Sequence, residues 1–156
     1  MSDMKEVVVS RVIDAPLEAV WNAWNEPARI KQWWGPQYFT SPSCMVDFRV
    51  GGAYLFCMQA PQGQQFFSAG TYQEIVPFEK IVYSDHLANE AGDLVEPSEY
   101  GMPEDWPREQ IVQVTFKDEG GKTRLTVRQS RIPTGTGYDN AVMGWTQSLE
   151  KLAAAV

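Results

Sequence analysis

The apolar positions of this chain change period several times, and each change marks the start of a new element. Residues 5–13, KEVVVSRVI, are rich in β-branched side chains and contain no glycine or proline, which predicts a first strand ending at Asp14. In DAPLEAVWNAW the apolar Leu17, Val20, Trp21 and Trp24 recur at i, i+3, i+4 and i+7 behind Pro16, a residue suited to a first helical turn, so a short amphipathic helix follows. NEPARIKQWWGP repeats the device. Pro27 stands near its start, and Gly35 then Pro36 are expected to stop this second short helix after Trp33 and Trp34.

Alternation returns from about Phe39. Cys44, Val46 and Phe48 alternate with Met45, Asp47 and Arg49, and Tyr54, Phe56 and Met58 resume the apolar parity after Gly51 and Gly52. The pattern predicts a hairpin with Phe48 opposite Tyr54 and Val46 opposite Phe56, closed by a loop of about three residues with a glycine bulge. Cys44 then faces inward and Cys57 outward, so no disulfide is expected between them. A second hairpin centres near Pro77, between SAGTYQEIV and EKIVYSDH, with its register open. A third is the sharpest, because a Gly120-Gly121 turn sets Phe116 opposite Leu125, Val114 opposite Val127 and Val112 opposite Gln129. Tyr138, Val142, Trp145, Leu149, Leu152 and Val156 line one side of a terminal helix of about five turns, a stripe that needs a sheet beneath it.

Residues 88–107 fit none of these periods. They carry Glu90, Asp93, Glu96, Glu99, Glu104 and Asp105 and no basic residue, while Pro97, Pro103 and Pro107 break regular structure. Structureless loops beyond about 12–15 residues are uncommon inside compact domains, so this acidic insertion is either a solvated excursion or a cover over a site.

Composition narrows the class. The 156 residues, 44% of them hydrophobic, suit one compact domain over residues 1–156, with no internal repeat or linker. Thirteen basic and twenty acidic side chains leave a net charge of −7, which repels a phosphate backbone, so nucleic acid is not an expected partner. No stretch approaches the ~20 apolar residues that cross a bilayer, and residues 1–9 have neither a basic leader nor a long apolar core. No membrane insertion and a cytoplasmic location are therefore expected. The two cysteines, Cys44 and Cys57, with one histidine make neither a disulfide scaffold nor a zinc site, so neither metal nor cofactor is expected.

The order of elements, a strand, two short helices, an antiparallel meander and a long helix, predicts an α+β fold in which a curved antiparallel sheet of about seven strands grips the last helix. A sheet bent around a helix does not close fully on it, and the two short helices plug one end, so a hollow lined by inward side chains can survive. Pro16 with residues 20–24, KQWWGP at 31–36, VDFRVGG at 46–52, GTYQEIVPFEKIVYSD at 70–85, TRLTVRQ at 123–129 and GWTQSLEKL at 144–152 occur in this order. Together they resemble the START-related superfamily, and within it the group typified by the carboxy-terminal domain of the activator of the ninety-kilodalton heat-shock protein ATPase. The resemblance implies the helix-grip architecture shared with the birch-pollen allergen and lipid-transfer domains, with a cavity between sheet and terminal helix. It implies no single activity, because the superfamily includes lipid carriers, hormone receptors, polyketide cyclases and stress-response chaperone activators.

The candidate ligand-binding residues are Trp33, Trp34, Phe48, Tyr54, Phe56, Met58, Tyr72, Tyr83, Val112, Val114, Gln129 and Trp145. Trp33 and Trp34 either frame the cavity mouth and stack on a flat ligand, or close the core and the helix-to-strand corner. The inward apolar row suits a pocket wall and an ordinary core equally. Gln129 at its polar end needs a partner, which a ligand, Tyr54 or backbone would supply. His86 is expected at the surface, because adjacent strand residues point to opposite faces and Asp85 therefore cannot orient it as a base. Asp47 and Arg49 read as a surface ion pair, and Glu74 either as an acid inside the hollow or as a rim residue.

No GxSxG elbow, phosphate loop, HExxH or dinucleotide fingerprint occurs, and no catalytic residue is assigned. The expected function is binding of a small apolar or amphipathic molecule between the sheet and the last helix. Two alternatives stand beside it: regulation of a partner such as a chaperone through an external surface, and a cyclase-like reaction through Glu74 or His86. Leu55 and Cys57, on the outer sheet face, leave an isologous homodimer open.

Overall fold

The computed structural model describes residues 3–156. Strand β1, Met4–Ile13, is followed by helices α1, Leu17–Ala23, and α2, Pro27–Ile30. Strands β2, Cys44–Val46, β3, Ala53–Gln59, β4, Gln65–Val76, β5, Lys80–Ala88, β6, Gln110–Glu119, and β7, Lys122–Pro133, lead to helix α3, Thr136–Ala155. The seven strands form one antiparallel sheet in the order β1-β7-β6-β5-β4-β3-β2. Only the link from β1 to β2 leaves the meander, and α1 and α2 lie on that link.

The β6–β7 hairpin has the register its sequence predicts, Val112 opposite Gln129, Val114 opposite Val127 and Phe116 opposite Leu125. Gly120 and Gly121 both take left-handed angles (φ 69° and 92°), the geometry that matches a tight turn to the twist of its strands. The β2–β3 hairpin differs from expectation by two residues, with Val46 opposite Tyr54 and Cys44 opposite Phe56. A wider connection, residues 47–52, replaces the short bulged loop. The Asp47 amide donates to Ala53 O, Gly52 N donates to Arg49 O, and Gly51 N donates to Tyr72 O at 2.8 Å, tying the turn to β4. A shift of two keeps face parity, so Phe48 still turns inward, where it meets Trp21 and Tyr72 edge-on.

Helix α2 is shorter than its sequence suggests. Trp33 and Trp34 lie beyond it in tightened turns in which both amides donate to Ile30 O. Trp33 is buried there because its indole N–H donates to Ala23 O at 2.9 Å.

The core fills the concave side of the sheet. Val7 and Ile13 of β1, Val20 of α1, Val112 and Val114 of β6, Leu125 and Val127 of β7 and Leu149 and Leu152 of α3 are all buried. Each such side chain contributes roughly 1.5–3 kcal/mol on leaving water, which is what holds α3 to β1 and β7. That grip is confined to one end. The buried residues of α3 begin at Ser148, while Tyr138, Val142 and Trp145 earlier in the same stripe are only half-buried.

On the outer face Cys57 is shielded with Phe67, Ala69 and Ala88 in a small separate apolar cluster, with Leu55 packed beside it. These neighbours leave Cys57 1% exposed despite its outward parity, and Ser41 Oγ donates to its carbonyl oxygen at 2.6 Å. Both cysteines are free thiols. Among the described residues no helix is long and apolar enough to cross a membrane.

Candidate functional site: an aromatic pocket under the start of the last helix

Where α3 rises off the sheet, a pocket of about 530 Å³ opens. One wall is the first half of the helix itself, through Ala141, Gly144 and Trp145. The opposite wall is the turn after α2, where Trp34 packs against Phe56 (ring centroids 4.5 Å apart) and edge-on to Trp145 at 5.8 Å. Lys151 of α3 fixes this turn by donating to the carbonyl oxygens of Gly35, Pro36 and Phe39 at 3.0–3.3 Å.

The acidic insertion makes the third wall. It is tethered to the sheet by an isolated bridge between Ala88 and Leu94 and by Val95 N donating to Leu87 O. Tyr100, at the end of a single 3₁₀ turn, donates to Ala88 O and stacks edge-on to Phe66. Trp106 then packs over Gly137 at the start of α3. Tyr100, Met102 and Trp106 line the pocket while Glu90, Glu96, Glu99 and Glu104 stay exposed, so the segment is both a solvated acidic surface and a wall.

Polar groups enter from the floor. Trp145 Nε1 donates to Gln129 Oε1 at 2.8 Å, Gln129 Nε2 donates to Gln110 Oε1 at 2.9 Å, and Gln110 Nε2 donates to Arg131 O. The amide of Gln129 is thus satisfied by protein. Asp85 stands beside this ladder, half-buried, and lines the pocket. Tyr54 Oη lies 2.7 Å from Asp85 Oδ1 and 2.7 Å from Ser84 O. Loss of water pushes the Asp85 carboxyl up to about 7, against the opposing pull of the Tyr54 hydrogen bond. The Tyr54 phenol is in turn pushed well above its usual range by burial and by the neighbouring carboxylate.

Of the residues singled out from sequence, Trp34, Met58, Gln129 and Trp145 line this pocket. Trp33, Tyr54, Phe56, Tyr72, Tyr83, Val112 and Val114 are buried in the core instead, with Phe48 packed against them. The reason is physical. Around Val112, Val114 and Val127 the sheet meets α1 and the firmly seated end of α3, and side chains fill the space between. Glu74 lies near the β4–β5 turn, half-buried and paired with Lys80 at 2.6 Å, and is not part of the pocket lining. His86 has outward strand parity, opposite Ala69, and lies at the pocket margin. Asp47 and Arg49 form an exposed pair at 2.9 Å, in the β2–β3 connection and not on a strand.

Sequence reading weighed Asp85 only as a partner for His86 and passed over Gln110, although both were within its reach as inward residues. Alternation places Asp85 on the face of Ile81 and Tyr83, and Gln110 on that of Val112 and Val114. Phe39, Tyr100 and Trp106 carried no such signal, since irregular segments deliver them.

A curved antiparallel sheet gripping one long terminal helix, with a pocket at the open end, defines a helix-grip protein of the START-related superfamily. The family model described as activator of Hsp90 ATPase homolog 1-like protein matches residues 14–156, and the chain belongs to that family. Among solved structures it is similar to protein CV1439 from Chromobacterium violaceum, with 32% identity, a TM-score of 0.77 and coverage of 97% of this chain and 96% of that one. Protein NE0264 from Nitrosomonas europaea shares the fold at 20% identity and a TM-score of 0.75, over 96% of this chain and 92% of that one. The AHSA1-like protein from Aeromonas hydrophila does so at 22% identity and a TM-score of 0.72, covering 97% and 92% of the two chains. Comparison with curated protein sequences gave no match.

Proposed function

We propose that this protein binds a small amphipathic molecule in the pocket beneath the first half of α3. The observation that carries the reading is the pocket itself: about 530 Å³, walled by aromatic side chains, with a few polar groups converging at its floor. That volume suits a guest of a few hundred daltons. The aromatic walls supply burial, and Asp85 with the Gln129 ladder supplies orientation.

Gly144 provides the test. It lines the pocket from within α3, and a Cβ built there meets nothing within 4 Å. Gly144→Phe therefore starts an aromatic side chain at the pocket wall from a Cβ position free of neighbours, and phenylalanine suits a helix better than glycine does. Uptake of a hydrophobic fluorescent probe is expected to fall at least tenfold in this variant; unchanged uptake with an intact fold would exclude the pocket as the site.

The family match favours a second reading, regulation of a chaperone ATPase. It is tested by adding the purified protein to the chaperone and measuring ATP turnover. A rise that persists in Gly144→Phe would place that activity on an outer surface and not in the pocket.

A further inference from the structure

The pocket is lopsided in charge. Asp85 is its only acidic lining residue, and neither lysine nor arginine lines it. Three tryptophans, Trp34, Trp106 and Trp145, surround the same space. The indole N–H of Trp145 is already committed to Gln129, which leaves the ring as its remaining means of contact with a guest. A carboxylate on the floor and electron-rich ring faces on the walls both favour positive charge. The approach has the same bias. Glu99 and Glu104 are exposed on the segment that forms the third wall, and nearby Arg108 is occupied by Glu96 at 2.8 Å. A net charge of −7 adds a field that draws cations toward the molecule.

We propose that the guest of this pocket is an organic cation, an amphipathic molecule whose protonated amine pairs with Asp85 while its apolar body lies among Trp34, Trp106 and Trp145. The proposal rests on the ligand-binding reading above and goes further by stating the chemistry of the guest. An anionic guest would meet an uncompensated carboxylate, and a neutral one would forgo both the ion pair and the cation–π contacts. The ionisable groups around Asp85 are the phenols of Tyr54 on β3 and Tyr83 on its own strand, with His86 at the pocket margin. None of these supplies a fixed positive charge to Asp85.

A matched pair of probes separates the two levels of the claim. Naphthylmethylamine and naphthylmethanol have the same ring and nearly the same shape, and differ in carrying an ammonium or a hydroxyl. Binding is measured by quenching of the pocket tryptophans and by ligand-observed NMR. The amine is expected to bind the wild type about tenfold more tightly than the alcohol. Asp85→Asn should cut the amine's advantage over the alcohol severalfold, the aromatic walls retaining the rest, and Gly144→Phe should abolish binding of both. Lowering the pH of wild type from about 8 to about 5 gives a readout that needs no variant: the amine stays charged while Asp85 takes up a proton, so the preference should fall. Equal binding of both probes at pH 8 would overturn the cation assignment and leave the pocket standing. Failure of both probes to bind, or binding that Gly144→Phe does not affect, would overturn the pocket reading and this proposal with it.

Discussion

The phenol of Tyr54 stands 2.7 Å from Asp85 Oδ1 and equally far from Ser84 O, yet it has one proton to give. When Asp85 is ionised that proton is shared between two acceptors; when Asp85 is protonated, its carboxyl can donate to Tyr54 while Tyr54 donates to Ser84 O. The carboxyl titrates near 7 in the folded protein and at about 3.8 where no structure surrounds it. Between these values the folded chain holds a proton that the unfolded chain has released. Stability therefore falls as pH rises through this window and levels off above about pH 7. At 1.36 kcal/mol per pH unit the loss has an upper bound of roughly 4 kcal/mol. Urea denaturation at a series of pH values should show this decline in wild type and a much flatter profile in Asp85→Asn.

Lys151 is the brace of the pocket's second wall. Its ammonium donates to three consecutive-turn carbonyls, and burial draws its pKa below the usual lysine value. Lys151→Met keeps the aliphatic stem and removes the donors, leaving those carbonyls unpaired at a cost of about 1–3 kcal/mol. Hydrogen exchange should report the change locally, with faster exchange at the amides of residues 37–39 than in the core of β6.

Two glycines should respond in opposite directions. Gly144→Ala fills open space in a helix and is expected to stabilise the protein by about 0.5–1 kcal/mol. In Gly70→Ala the new Cβ would sit 1.9 Å from Ser84 O on the adjacent strand, which forces β4 and β5 apart. A loss of several kcal/mol is expected there. Thermal denaturation of the two variants side by side distinguishes the cases.

Gln129 is the middle of a three-residue chain, accepting from Trp145 and donating to Gln110. Gln129→Leu strands both neighbours and should cost about 1–3 kcal/mol, whereas Trp145→Phe removes a single donor and should cost less. A double-mutant cycle measured by chemical denaturation should give a clear coupling energy between the two positions.

These relationships divide into those a sequence exposes and those it does not. The register of β6 and β7 was legible because adjacent left-handed glycines admit one tight turn. That of β2 and β3 was not, because alternation conveys face and not offset, and the turn is set by a distant strand, with Gly51 N donating to Tyr72 O and Tyr72 N donating to Gly52 O. Asp85 was legible from parity with Tyr83. The pocket wall at Tyr100 and Trp106 was beyond reach, since contacts with Ala88 and Gly137 place it and no periodic pattern records them. Aromatic richness likewise marked Tyr54, Tyr72 and Tyr83 as inward without revealing that their surroundings are solid.

A helix fastened by Leu149 and Leu152 and lifted at its beginning behaves as a cantilever. Its anchored end carries the burden of folding, and its free end, with two irregular segments, frames the pocket. Substitutions at Ala141, Met102 or Phe39 can therefore reshape that space while the packed interior stays as it is. The architecture separates the contour of the pocket from the maintenance of the scaffold.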